Sequence, residues 1–155
     1  MGVDVGTKAP DFTLPNQDNQ PVTLSALLAQ GPVVLAFMPA AFSSVCTTEM
    51  CTFRDSAAAL NQVSGTVLGI TVDTFFALKA WGEQQGLTFP LLSDFNKEVI
   101  AKYDVVIPDL IGMKGLAKRA VFVIGRDGLV KHREVLDDAR NEPDYGKVMA
   151  ALAAL

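Results

Sequence analysis

Three short runs of consecutive apolar residues punctuate the chain: 33–38 (VVLAFM), 66–72 (TVLGITV) and 120–124 (AVFVI). Runs of this length with polar or turn residues at their ends predict strands buried on both faces. Arg126-Asp127-Gly128 follows the third run, and an Asp-Gly pair there predicts a hairpin that returns through 129–134. Near the start, the polar stretch 16–20 separates two extended pieces, 12–14 and 21–24. Between the runs the period changes. Residues 47–62 lack Gly and Pro and carry Met50, Phe53, Ala57 and Leu60 at helical spacing. Residues 74–85, with Phe75, Leu78 and Trp81, predict a helix ending at Gly86. A short helix over 96–103 and a last one over 143–155 complete the series. Strands that alternate with helices and end in a hairpin predict an α/β fold, a mixed sheet with helices on both faces. No repeat, low-complexity tract or linker divides the 155 residues, so one domain over 1–155 is expected.

Composition narrows the partners. Half the residues are apolar and 19% are charged, which suits a packed interior. The net charge of −4, from 13 basic and 17 acidic side chains, lacks the basic stripe of a nucleic-acid surface. The longest apolar run, 33–42, is interrupted by Pro39 and falls short of the roughly 20 residues a membrane span needs. The first residues, MGVDVGTKAPDF, hold no apolar core of a secretory signal. Met1-Gly2 is followed by Thr at position 7, outside the myristoylation spacing. A cytoplasmic protein with no nucleic-acid or membrane partner is therefore expected. The single His132 speaks against a His-rich metal site, and no cofactor is expected.

The chemistry concentrates at two cysteines five positions apart, Cys46 and Cys51. A loop, Pro39-Ala-Ala-Phe42-Ser43-Ser44-Val45, joins the first buried strand to the next helix, and it delivers Cys46 to that helix's first turn. Ligands of α/β units sit beyond the carboxyl ends of the strands. Helix N-termini offer unpaired N–H groups and a partial positive charge. A thiol placed there should ionise more readily, and the thiolate is the nucleophile. A free cysteine can equally be a small buried hydrophobe; the polar loop around Cys46 favours the reactive reading, and for Cys51 the inert reading keeps real weight. On a continuous helix the two Cα atoms lie about 8.7 Å apart, beyond the roughly 7 Å limit for a disulfide. A Cys46–Cys51 bond therefore requires local unwinding. Zinc would want four ligands, and no further Cys or nearby His completes such a set. The C-x-x-C spacing of dithiol exchange proteins is absent.

Pro39, Ser43 and Cys46 fit P-x-x-x-[T/S]-x-x-C, with Glu49 three residues on. Three other blocks, Ala9-Pro10-Asp11-Phe12 before it and Phe89-Pro90-Leu91-Leu92-Ser93-Asp94 and Arg119 to Gly128 after it, match in the right order. Together they make the chain resemble the peroxiredoxin family over most of its length. The Cys51 spacing is similar to the PrxQ or bacterioferritin-comigratory branch, and the FPLLSDF phrase to the AhpE-like branch. The resemblance implies a thioredoxin-like fold with an N-terminal β-hairpin and a thiol peroxidase acting on hydrogen peroxide and organic hydroperoxides. It implies Cys46 as peroxidatic cysteine, Cys51 as its resolving partner, and Ser43 and Arg119 as catalytic groups. Pro39, Val45, Phe42 and Glu49 would border the substrate, Glu49 acting behind the others or simply supporting its helix. Thioredoxin or a glutaredoxin-like dithiol would be the reductant, and the protein a monomer or homodimer. Three other readings stand beside this one: a one-cysteine peroxidase resolved by an external thiol, a non-enzymatic redox sensor, and a binding module with an inert Cys46.

Overall fold

The computed structural model describes residues 3–155; Met1 and Gly2, read above for a lipidation pattern, lie outside the described residues. A hairpin of β1 (Thr13–Pro15) and β2 (Pro21–Thr23) leads through α1 (Leu24–Leu28) to β3 (Val33–Phe37). Then come α2 (Ser44–Asp55), α3 (Ala57–Gln62), β4 (Thr66–Thr71), α4 (Phe75–Gln85), β5 (Leu91–Ser93) and α5 (Glu98–Lys102). A two-stranded ribbon, β6 (Val106–Ile107) with β7 (Leu116–Ala117), precedes β8 (Arg119–Ile124), β9 (Val130–Leu136) and α6 (Tyr145–Ala153). The central sheet has the order β5-β4-β3-β8-β9. β3, β4 and β5 run parallel, while β8 and β9 are antiparallel to their neighbours.

The alternation of β3 explains the layers. Val33, Leu35 and Phe37 point into one core, shared with the hairpin, α1 and α5. Val34, Ala36 and Met38 point into the other, shared with Cys46, Met50 and Phe53 of α2, Trp81 of α4 and Val148 of α6. Both faces are covered, which is why these strands read as unbroken apolar runs. Full burial of Met50 and Phe53, each contributing roughly 1.5–3 kcal/mol, fixes α2 on the sheet. Gly69 in β4 permits that seat: a Cβ there would lie 3.0 Å from Met50 Sδ and 2.9 Å from Leu91 Cδ2.

The expected helix over 47–62 is in fact two. Ser56, at φ −94° and ψ 12°, separates α2 from α3, and its hydroxyl donates to the Thr52 carbonyl at 2.9 Å. A serine bonding back to the preceding turn competes with the helix ladder and bends it. The segments α1, β5, β6 and β7 are two to five residues long, too short for a period to show.

The sheet's topology assembles one edge. Phe37 pairs with Ala120 and Arg119 with Leu136. The end of β3, the start of β8 and the end of β9 therefore lie side by side, and the segments that follow or precede them meet above the sheet.

Candidate active site

At that edge Ser43 takes the N-cap position of α2 in an extended conformation, φ −68° and ψ 150°. Its hydroxyl does not cap the helix; it donates to the Ala40 carbonyl at 3.0 Å. The Thr47 N–H makes the first intrahelical bond, to Ser43 O at 2.9 Å. The N–H groups of Ser44, Val45 and Cys46 thus belong to the set that a helix start leaves without internal partners.

Cys46 is buried, and Arg119 converges on it. The Nη1 and Nη2 groups of Arg119 both donate to Cys46 Sγ, at 3.3 Å each. Nη1 also donates to Glu49 Oε2 at 2.8 Å, and Nε and Nη2 donate to the Ala139 carbonyl at 3.2 and 2.9 Å. The planar fork is therefore held on three sides and cannot turn away from the sulfur. Burial works against the guanidinium's charge, but Cys46 and Glu49 beside it hold its pKa above the ordinary value. Glu49 lies one turn after Cys46 on the same helix face and is fully buried. Burial pushes its carboxyl up to about 7, against the opposing pull of Arg119. Its Oε1 has no hydrogen-bond partner.

A cavity of about 710 Å³ opens beside this cluster, with Pro39, Ser43, Val45, Ile111, Leu116 and Arg119 among its walls. Glu49 and Phe42, expected at the substrate, are not in that wall. Glu49 sits behind Arg119, and its contact with the cavity runs through that side chain. Phe42 has a left-handed φ of 67°. The Ala41 N–H is tied to Asp73 Oδ2 at 2.7 Å, and the turn sends the Phe42 ring outward, 53% exposed, against Trp81 at 6.4 Å between centroids. Cys51 is also apart: it is half-buried, its thiol donates to Gln85 Oε1 at 3.6 Å, and both cysteines are free. Both lie within the unbroken α2, so the separation of about 8.7 Å set by helix geometry applies.

The structure thus gathers Cys46, Arg119, Glu49, Ser43, Pro39 and Val45, and leaves Phe42 and Cys51 outside the cluster. Sequence reasoning missed the Ala139 carbonyl, which carries no residue-type signal, and Asp73, although it follows the carboxyl end of β4, where α/β folds place their sites.

The family model described as AhpC/TSA matches residues 5–133. The chain belongs to this family. The peroxiredoxin is 35% identical to the alkyl hydroperoxide reductase E of Mycobacterium tuberculosis over 98% of this chain and 99% of the relative. It is equally 35% identical to a chloroplastic 2-cysteine peroxiredoxin of Chattonella marina, over 98% of this chain and 82% of that one. The crystal structure of peroxidoxin BcpB from Mycobacterium tuberculosis superposes with a TM-score of 0.89 at 35% identity, covering 99% of this chain and 98% of the other. A peroxiredoxin-like protein from Aquifex aeolicus gives 0.87 at 25% identity, over 99% and 88% of the two chains. The thioredoxin-like α/β fold is the one adopted, and the protein is a thiol-dependent peroxidase.

Proposed function

We propose that Cys46 is the thiol that reduces hydrogen peroxide and organic hydroperoxides, and that Cys51 resolves the product for reduction by thioredoxin or a glutaredoxin-like dithiol. The observation that carries this is the convergence of both Arg119 terminal nitrogens on Cys46 Sγ. A negative sulfur there has a fixed counter-charge. The thiolate lone pair attacks the terminal peroxide oxygen; an S–O bond forms, the O–O bond breaks, and the leaving alkoxide or hydroxide takes the proton released when the thiol ionised. Arg119 faces both the attacking sulfur and the cavity, so it stabilises charge as it moves to the leaving oxygen. Ser43 has its proton committed to Ala40 O, so its lone pairs accept the peroxide O–H. The unpaired N–H groups of Val45 and Cys46 supply further donors, and Pro39 keeps water from the sulfur. The apolar wall of Pro39, Val45, Ile111 and Leu116 suits hydroperoxides with a carbon chain, in keeping with the name of the mycobacterial reductase.

Resolution follows as Cys51 thiolate attacks the sulfur of Cys46 sulfenic acid: an S–S bond forms, the S–O bond breaks, and hydroxide leaves as water with the Cys51 proton. A second reading is favoured by one observation, the engagement of Cys51 with Gln85 on an intact helix: an external thiol resolves the sulfenic acid directly.

Stopped-flow oxidation of the reduced protein by hydrogen peroxide, followed by Trp81 fluorescence and thiol count, decides between them. Rapid loss of two thiols with one intramolecular disulfide by mass is expected, and Cys46→Ser should abolish the reaction. In Cys51→Ser the first step should persist while turnover with thioredoxin stops. Undiminished turnover of that variant would establish the one-cysteine mechanism, and oxidation as slow as that of a free thiol would sink the assignment of Cys46.

A further inference from the structure

Cys51 is held by a different helix from the one that carries it. Thr47, Cys51 and Arg54 recur at helical spacing and face α4 together. Trp81 Nε1 donates to Thr47 Oγ1 at 3.1 Å. One turn further along α4, Gln85 receives two donors: its side-chain Oε1 accepts the Cys51 thiol, and its backbone carbonyl accepts Arg54 Nη1. Gln85 is the last residue of α4, before Gly86 in the left-handed conformation. A carbonyl at that end carries the partial negative charge of the helix dipole, so a guanidinium is well placed on it. Arg54 Nε also donates to Asp55 Oδ1 at 3.1 Å, which orients the fork. Two residues beyond Arg54 the helix stops at Ser56. Ser56 interrupts the helix ladder there before α3 resumes at Ala57, so the turn from Cys51 to Asp55 is the end of its ladder, held on the sheet side by buried Phe53.

We infer that Arg54 is a positioning residue for resolution: its grip on the Gln85 carbonyl keeps the last turn of α2 wound and Cys51 turned to α4, and release of this grip is the step that lets Cys51 reach Cys46. The inference rests on Cys51 as the resolving thiol. Ideal helix geometry places the two sulfur-bearing residues about 140° apart around the axis, so Cys51 cannot swing to Cys46 while its turn is wound. Arg54 is not in the cavity wall, and its hydrogen bonds and ion pair go to Gln85 and Asp55 rather than to Arg119 or Glu49, so oxidation of Cys46 should not depend on it. The grip therefore sets how long the sulfenic acid persists, and with it how much is oxidised further to sulfinic acid by a second peroxide.

The test is Arg54→Met in the full chain, with Arg54→Lys beside it, since a lysine can still donate to the carbonyl. The first fluorescence phase, linear in peroxide, should keep its rate. The second, peroxide-independent phase should accelerate about five- to tenfold in Arg54→Met, as expected for loss of one partly solvent-exposed hydrogen bond. Arg54→Lys should lie between, and the sulfinic acid yield at high peroxide should fall in step. A second phase equal to or slower than that of the parent protein overturns the inference. Should the parent form no Cys46–Cys51 disulfide at all, the reading of Cys51 fails separately, and amide exchange then judges the grip. Exchange over 51–55 should rise in Arg54→Met while that of β3 and β8 stays unchanged; equal exchange overturns it.

Discussion

Arg119→Met is expected to slow the oxidation of Cys46 by hydrogen peroxide by about 10²–10³-fold, the typical consequence of deleting one fixed donor to a developing charge. The size follows from geometry. Both nitrogens that leave with the guanidinium sit 3.3 Å from the sulfur, in a setting where Arg119 is 2% exposed and water cannot substitute for them. Arg119→Lys should recover only a small part, because one ammonium cannot reach Cys46, Glu49 and the Ala139 carbonyl together. The fold should survive the methionine. Glu49, already pushed up to about 7 by burial even with Arg119 opposing, takes up a proton when the cation is gone and remains buried as a neutral acid. Single-turnover kinetics beside thermal unfolding separates the two effects. A rate within about threefold of the parent would mean that Arg119 holds the loop together and does not act on the peroxide.

Glu49→Ala is expected to damage stability instead. It removes the carboxylate 2.8 Å from a buried guanidinium, and breaking a buried ion pair on one side typically costs about 3–5 kcal/mol. Glu49→Gln keeps an acceptor for Arg119 and should lose far less. The two also differ with pH. The Glu49 pKa is raised by folding, from about 4.5 to about 7, so the folded state binds more protons than the unfolded chain over that window. Its contribution is fully present at low pH and is lost as pH rises through about 7. Denaturant unfolding at pH 5 and pH 8 should therefore show the parent falling relative to Glu49→Gln. Parallel pH profiles for the two proteins would rule out a titrating Glu49.

Much of this was legible because the signals were local. Residues 33–38, 66–72 and 120–124 announce buried strands by composition alone, and Cys46 could be placed in a first helical turn from the loop that precedes it. The role of Glu49 was not legible. A carboxylate in an N-terminal turn reads equally well as helix support, and only the arrival of Arg119 from β8 distinguishes the two. The place of Phe42 outside the cavity wall was hidden for a related reason: its outward ring depends on a left-handed φ and on Asp73 holding the neighbouring N–H, neither of which a hydrophobic pattern encodes. The break at Ser56 was hidden because its cause is a side-chain hydrogen bond to the backbone, made by a residue with no strong helix-breaking signature.

The contact between Cys46 and Arg119 joins residues 73 positions apart. During synthesis the cysteine emerges before its counter-charge, which comes with β8. Until β8 adds to the open edge of β3, the sulfur lacks the guanidinium that equips it for attack. On the role proposed for Cys46, an incomplete chain would carry that cysteine without its counter-charge, and its attack on peroxide would wait on the arrival of β8.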